Sequence, residues 1–153
     1  MKKTVLTYGT FDLFHIGHLR LLDRLSSLGE ELIVGVSTDE FNRVKGKQTI
    51  IPYKDRIEII RNLRCVDQVI PEQDWEQKIE DIKRYNVSLL GMGSDWQGRF
   101  DDLGAHCEVV YLPRTEGVST TELKKTLKSL DAEHIAELKQ ALDLISSIVD
   151  RFD

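Results

Sequence analysis

Two histidines three positions apart, His15 and His18, flank Gly17 at the end of the stretch GTFDLFHIGH, residues 9–18. Imidazoles so placed can ligate a metal, move a proton or donate hydrogen bonds to an anion. Metal ligation needs further ligands. The other histidines, His106 and His134, lie in unrelated segments, and no Cys/His cluster has ligand spacing. Gly17 leaves room for a ligand or another backbone to approach. Apolar residues at helical spacing start just beyond His18, so the spacing predicts a helix opening at His18, whose N–H groups and dipole favour anions. These residues describe a phosphate-binding corner, suited to charge that develops in a transition state.

A second segment, PRTEGVSTTELK, repeats that logic about a hundred residues later. Ser119 or Thr120 can cap a final helix, and Arg114 can fork onto phosphate oxygens. A hydroxyl-rich helix start alone is often only a cap. Paired with the first motif, it predicts two helix N-termini converging on one polyphosphate.

These motifs need elements to hold them. Thr4–Tyr8 reads as a buried strand ended by Gly9, and His18–Leu28 as a helix stopped by Gly29. Leu32–Val36 is a strand apolar on both faces, the sign of a sheet covered twice. Ser37–Pro52 reads as a long polar loop and Tyr53–Leu63 as a helix. Asp67–Ile70 is expected to be a short strand ended by Pro71. A helix over Trp75–Tyr85 follows, then strands at Ser88–Met92 and Glu108–Leu112, and a helix from about Ser119. Strands alternating with helices imply βαβ units. The expected fold is α/β: a Rossmann-like open parallel sheet of about five strands, helices on both faces, and an extra C-terminal helix. In such sheets ligands bind at the carboxyl ends of the strands, where the informative segments fall.

The tail from 131 to 153 is read as a separate helical extension to a domain spanning 1–130. Its apolar residues Ile135, Leu138, Leu142, Ile145, Val149 and Phe152 recur at alternating steps of three and four, with Asp131 the expected N-cap. Such a stripe packs on its own domain or on another helix, and its narrowness and charged opposite face favour another helix.

Composition narrows the class. A net charge of −5 argues against a nucleic-acid binder, which would show a basic surface. It leaves room for a local positive pocket around a small anion. No apolar run is long enough to span or insert into a membrane. The apolar run after Met1-Lys2-Lys3 is too short for a signal peptide. Cys65 and Cys107, far apart and without C-x-x-C spacing, are expected to be reduced thiols in a cytoplasmic protein.

The segments YGTFDLFHIGH, STDEFN, VDQVIPE, WEQK, DWQGRFD and EVVYLPRTEGVSTT together resemble the HxGH nucleotidyltransferase superfamily and, within it, the cytidylyltransferases. The match runs through about residues 3–130. The resemblance implies transfer of CMP from CTP to a phosphate monoester, glycerol 3-phosphate, with release of pyrophosphate and with Mg2+ held chiefly by substrate phosphates and water. Such chemistry needs no general base, because the acceptor phosphate is already a nucleophile. The protein must overcome repulsion between anions and align the attack. Within the matched span this acidic chain carries Lys45, Lys47, Arg56, Arg64, Lys78 and Arg114.

Carried over by position, the resemblance places His15 and His18 on the CTP phosphates, beside Gly17 and contacts from Thr10 and Phe11. Lys47 would reach the triphosphate, and Lys45 and Lys78 the acceptor phosphate. Arg114, Thr115, Glu116, Gly117, Val118, Ser119, Thr120 and Thr121 would cradle the nucleotide. His15, His18, Lys47 and Arg114 would be catalytic. Asp12, Asp39 and Asp95 would support these parts, with Arg64 inside the site. One position departs: this chain has Met92-Gly93-Ser94-Asp95-Trp96 where the family usually shows Met-Gly-Asp-Asp-Trp. Another small alcohol phosphate is therefore the alternative acceptor, and a silent nucleotide-binding module the alternative class. The resemblance also implies a homodimer that supplies CDP-glycerol for a surface polymer, teichoic acid or capsule.

Overall fold

The structure, a computed structural model, describes residues 1–151. Five strands form one parallel sheet: β1 Thr4–Gly9, β2 Glu31–Ser37, β3 Gln68–Glu72, β4 Val87–Gly93 and β5 Glu108–Leu112. Their order is β3-β2-β1-β4-β5. The chain winds outward from β1 through β2 to β3, then returns to β1's other side with β4. The loops after β1 and β4 thus open at the switch point, where open α/β sheets bind ligands.

Alternation along the strands explains the layering. In β1, Val5 faces one core with Leu22, Leu25, Leu32, Val34, Ile60 and Leu89, while Leu6 and Tyr8 face another with Ile33, Ile82, Leu90, Met92 and Phe100. Both sets are buried. Each large side chain fully buried contributes about 1.5–3 kcal/mol, so a sheet covered on both faces is what holds the strands together. Helices α1 (Ile16–Ser26) and α3 (Tyr53–Arg61) supply the first layer, and α4 (Gln77–Arg84) the second.

Several local expectations are corrected. The first helix starts at Ile16 rather than His18, because His15 is its N-cap. The expected loop after β2 contains a six-residue helix, α2 (Asp39–Val44), where the Thr38 hydroxyl accepts from the Phe41 N–H at 3.2 Å. It is too short for apolar periodicity to reveal. Strand β3 runs through Pro71 to Glu72, pairing Val36 with Pro71. Proline is tolerated there because β3 is an edge strand, with β2 on one side alone. Two 3-10 turns, Ser94–Trp96 and Asp101–Ala105, fill the stretch between β4 and β5.

The chain divides into two compact units after Val118. The second consists of one helix, α5 (Thr120–Val149), unbroken over 30 residues and capped by Ser119, whose hydroxyl accepts from the Glu122 N–H at 3.0 Å. Asp131 therefore lies inside α5 and caps nothing. Phe152, the last residue of the expected stripe, lies outside the described residues.

Candidate active site

The loop leaving β1 is wound tightly. Phe11 and Leu13 both take left-handed backbone angles, φ 54° and 48°, unusual for non-glycine residues. Such strain persists where surrounding contacts over-determine it. Asp12, 2% exposed, provides them: its carboxylate accepts from the backbone N–H groups of Leu13, Ile50 and Ile51 at 3.1, 2.8 and 2.9 Å. This ties the β1 loop to the segment before α3.

His15 and His18 then form a reciprocal capping box. His15 Nδ1 accepts from the Gly17 N–H at 3.0 Å, and His18 Nδ1 accepts from the His15 N–H at 3.3 Å. The rings stack with centroids 3.9 Å apart, and His18 lies between Phe14 and Phe11, each 5.5 Å away. With both Nδ1 atoms accepting, a neutral ring carries its proton on Nε2, as a donor. Burial, reinforced by the neighbouring His15 and opposed in part by Asp12, pulls His18 down to about 4; burial lowers His15 as well. Both rings are thus neutral hydrogen-bond donors at pH 7, not cations. A Cβ on Gly17 would stand 2.8 Å from the His15 ring and 3.8 Å from Thr115 Cβ. Glycine is required there first by the cap, and Thr115 of the RTEG segment lies against it.

Arg56 is not a surface cation. It is 1% exposed and joins three segments: Nε donates to the Ile51 carbonyl (2.9 Å), and its terminal nitrogens to the Thr10 carbonyl (2.7 Å) and Asp39 (2.8 Å). Asp39 also accepts from the Tyr53 N–H and the Thr49 hydroxyl. Burial works to raise the Asp39 carboxyl, but the Tyr53 N–H and the Arg56 guanidinium outweigh it and hold it below its usual value. Asn42, 1% exposed, forms the next link. Its Oδ1 accepts from the Thr10 hydroxyl at 3.0 Å and its carbonyl accepts from the Lys47 N–H at 2.8 Å. The histidine loop and the lysine loop thus hang on one residue.

Beyond it, Lys45 and Lys78 converge on Glu72, which the sequence did not single out. Lys45 Nζ lies 3.3 Å and Lys78 Nζ 2.9 Å from its carboxylate, with all three side chains at most 6% exposed. Aromatic rings wall the cluster: Phe41 and Trp75 by Lys45, Tyr8, Trp75 and Phe100 by Lys78. Lys47 lies over Trp96, 5.4 Å from the ring centre. In the turn after β4, Asp95 receives Arg114 at 3.3 Å, both about half exposed. This joins the segments that follow β4 and β5. Glu116, Gly117 and Val118 continue the chain, with Gly117 at φ 78°; Ser119, Thr120 and Thr121 belong to the cap and first turn of α5.

Arg64 is not brought to this site. It is exposed in the connection from α3 to β3, at the edge where strands begin, whereas the groups above follow strand ends. The missed residues Asn42, Glu72 and Tyr8 lie within the matched segments STDEFN, VDQVIPE and YGTFDLFHIGH, but none was singled out for a role. The usable signal was buried polarity inside otherwise apolar elements.

An open parallel sheet, a histidine-capped helix at its switch point and buried lysines beside it define a nucleotidyltransferase-type α/β protein. A model of the cytidylyltransferase-like family matches residues 6–148, and the chain belongs to that family. A glycerol-3-phosphate cytidylyltransferase of Bacillus spizizenii is 53% identical over 128 residues, 84% of this chain and 99% of the relative. One from Staphylococcus aureus is 49% identical over 131 residues, 86% of this chain and 99% of the relative. Among solved structures, a lipopolysaccharide core biosynthesis protein from Thermoplasma volcanium is 24% identical and matches with a TM-score of 0.65 over 76% of this chain and all of that one. It shares the fold.

Proposed function

We propose that the protein transfers CMP from CTP to glycerol 3-phosphate, giving CDP-glycerol and pyrophosphate. An acceptor phosphate oxygen attacks the α-phosphorus in line, the bond from that phosphorus to the β-phosphate bridging oxygen breaks, and pyrophosphate leaves with the electron pair. The observation that carries this reading is Asn42, which ties the histidine loop to the lysine loop. Neutral imidazole donors and ammonium cations then serve one site.

In this reading His15 and His18 offer Nε2–H to triphosphate oxygens whose charge grows in the transition state. Lys47 and Arg114 add charge at the nucleotide, and Lys45 meets the acceptor phosphate. Among the described residues no three His, Cys, Asp or Glu side chains converge to hold a metal. The donor set therefore fits a divalent cation such as Mg2+ only as a companion of the triphosphate, where it would neutralise phosphate charge when bound. The reading extends to a cytoplasmic homodimer that supplies CDP-glycerol for a surface polymer. Among the described residues no helix is long and apolar enough to cross a membrane.

A panel of CTP and ATP against glycerol 3-phosphate and other small alcohol phosphates, read by pyrophosphate release, tests the proposal. Turnover with CTP and glycerol 3-phosphate is expected. Activity with ATP alone overturns it, as does CTP binding without turnover. Preference for a different alcohol phosphate would assign Ser94, where the family usually has aspartate, to acceptor choice.

A further inference from the structure

Glu72 sits where two cations meet. Its Oε1 receives the Ser37 hydroxyl at 2.6 Å and Lys45 Nζ at 3.3 Å; its Oε2 receives Lys78 Nζ at 2.9 Å. Lys78 is 3% exposed and roofed by the rings of Tyr8 (4.4 Å), Trp75 (5.1 Å) and Phe100 (5.6 Å). Lys45 is the more open of the two, at the C-terminus of α2, and also touches the Ser37 hydroxyl at 2.8 Å.

We infer that Glu72 is a positioning residue for cytidyl transfer: its carboxylate holds Lys45 as a directed ammonium toward the acceptor phosphate, and Lys78 acts through Glu72 instead of touching substrate. The inference rests on the reaction proposed above. One carboxylate between two ammonium groups leaves a net single positive charge, enough to draw in a phosphate. It also spares the enclosure two bare, repelling cations, which low-dielectric surroundings would not keep protonated. The charged neighbours agree. Burial pulls Lys45 below its ordinary value, Glu72 is the chief group holding it up, and Lys47 and Lys78 both push it down. Tyr8, facing Lys78 from β1, stays neutral because burial and its bond to Asp81 raise it. Tyr8 therefore cannot replace the carboxylate.

Glu72→Gln tests this in the full chain. Acceptor kcat/KM is measured from pH 6 to 9.5 at saturating CTP, alongside the KM for CTP. The alkaline limb should move to lower pH by about one unit, a loss of about tenfold on that limb. Near neutral pH the acceptor kcat/KM should already fall, through a higher KM for the acceptor, and the KM for CTP should not change. Glu72→Asp should restore the limb. Lys78→Met, which leaves Glu72 facing Lys45 alone, should not move the limb downward. An unmoved limb in Glu72→Gln, or a CTP KM that rises as much as the acceptor's, overturns the inference. If Glu72→Gln does not fold, a downward limb in Lys78→Met overturns it. If wild-type protein does not turn over CTP with glycerol 3-phosphate, the proposed reaction fails separately. NMR titration of 13Cε-labelled lysine then tests the Glu72–Lys45 coupling by itself: an earlier Lys45 titration in Glu72→Gln supports it, an unchanged one overturns it.

Discussion

Replacing Arg56 by methionine removes the guanidinium that links the histidine loop to its supports while keeping similar length and volume. The side chain is fully buried, and three acceptors lose their donor: the Thr10 and Ile51 carbonyls and Asp39. A hydrogen bond from a charged donor contributes about 1.5–3 kcal/mol, and removing one partner of a buried pair costs about 3–5 kcal/mol. Asp39 is one-third exposed and keeps Tyr53 and Thr49 as partners, so its share is discounted. The two carbonyls dominate, and the expected net loss is about 3–4 kcal/mol, a large fraction of the 5–15 kcal/mol that holds typical domains. In a chain of this length that corresponds to a fall of about 10 °C in Tm. Urea unfolding should show a lower midpoint at unchanged slope. Arg56→Lys should recover little, since one ammonium cannot reproduce the three-way fork. A loss under about 1 kcal/mol in Arg56→Met would refute the argument that this cation is structural.

His18→Ala should lower kcat by about a hundredfold or more, because an oxyanion-type donor is lost, with the far-UV spectrum retained; unchanged turnover would make the imidazole purely structural. Because His18 is held down to about 4 in the folded protein, its unfolded form binds more protons between about pH 6.5 and 4. Its stabilisation is therefore complete above that window and lost on acidification, and His18→Gln should flatten stability against pH there. Gly17→Ala drives a methyl group against the His15 ring, so turnover should fall well before the fold does, as measured by paired activity and melting assays. Burial pushes Cys65 up to about 11 and raises Cys107 too, so both thiols should react with a maleimide more slowly at pH 7.5 than a free cysteine.

The sheet was legible because its evidence is local and repeated. Val5, Leu6, Ile33, Val34, Leu89 and Leu90 announce strands apolar on both faces, and Gly9 and Gly29 punctuate them. His15, Gly17 and His18 announced themselves by spacing, because a helix N-terminus is built from neighbours in sequence. Local pattern could not decide what a charge faces. Nothing within a few positions of Arg56 distinguishes it from a solvated helix cation, yet folding brings Thr10 and Asp39 onto it. Pro71 reads as a strand terminator until the topology makes β3 an edge. Glu72 is one acid among many until Lys45, 27 positions before it, and Lys78, six positions after it, close on its carboxylate. Asp131 reads as a cap only while the helix from about Ser119 is expected to end before it. The sequence by itself determined the layers, the parallel sheet and a helix opening beside His15 and His18, since hydrophobic period and helix capping are short-range. Only the tertiary structure decided which cations are buried against protein partners and which stay exposed, because burial and Coulomb partners are properties of distance in space.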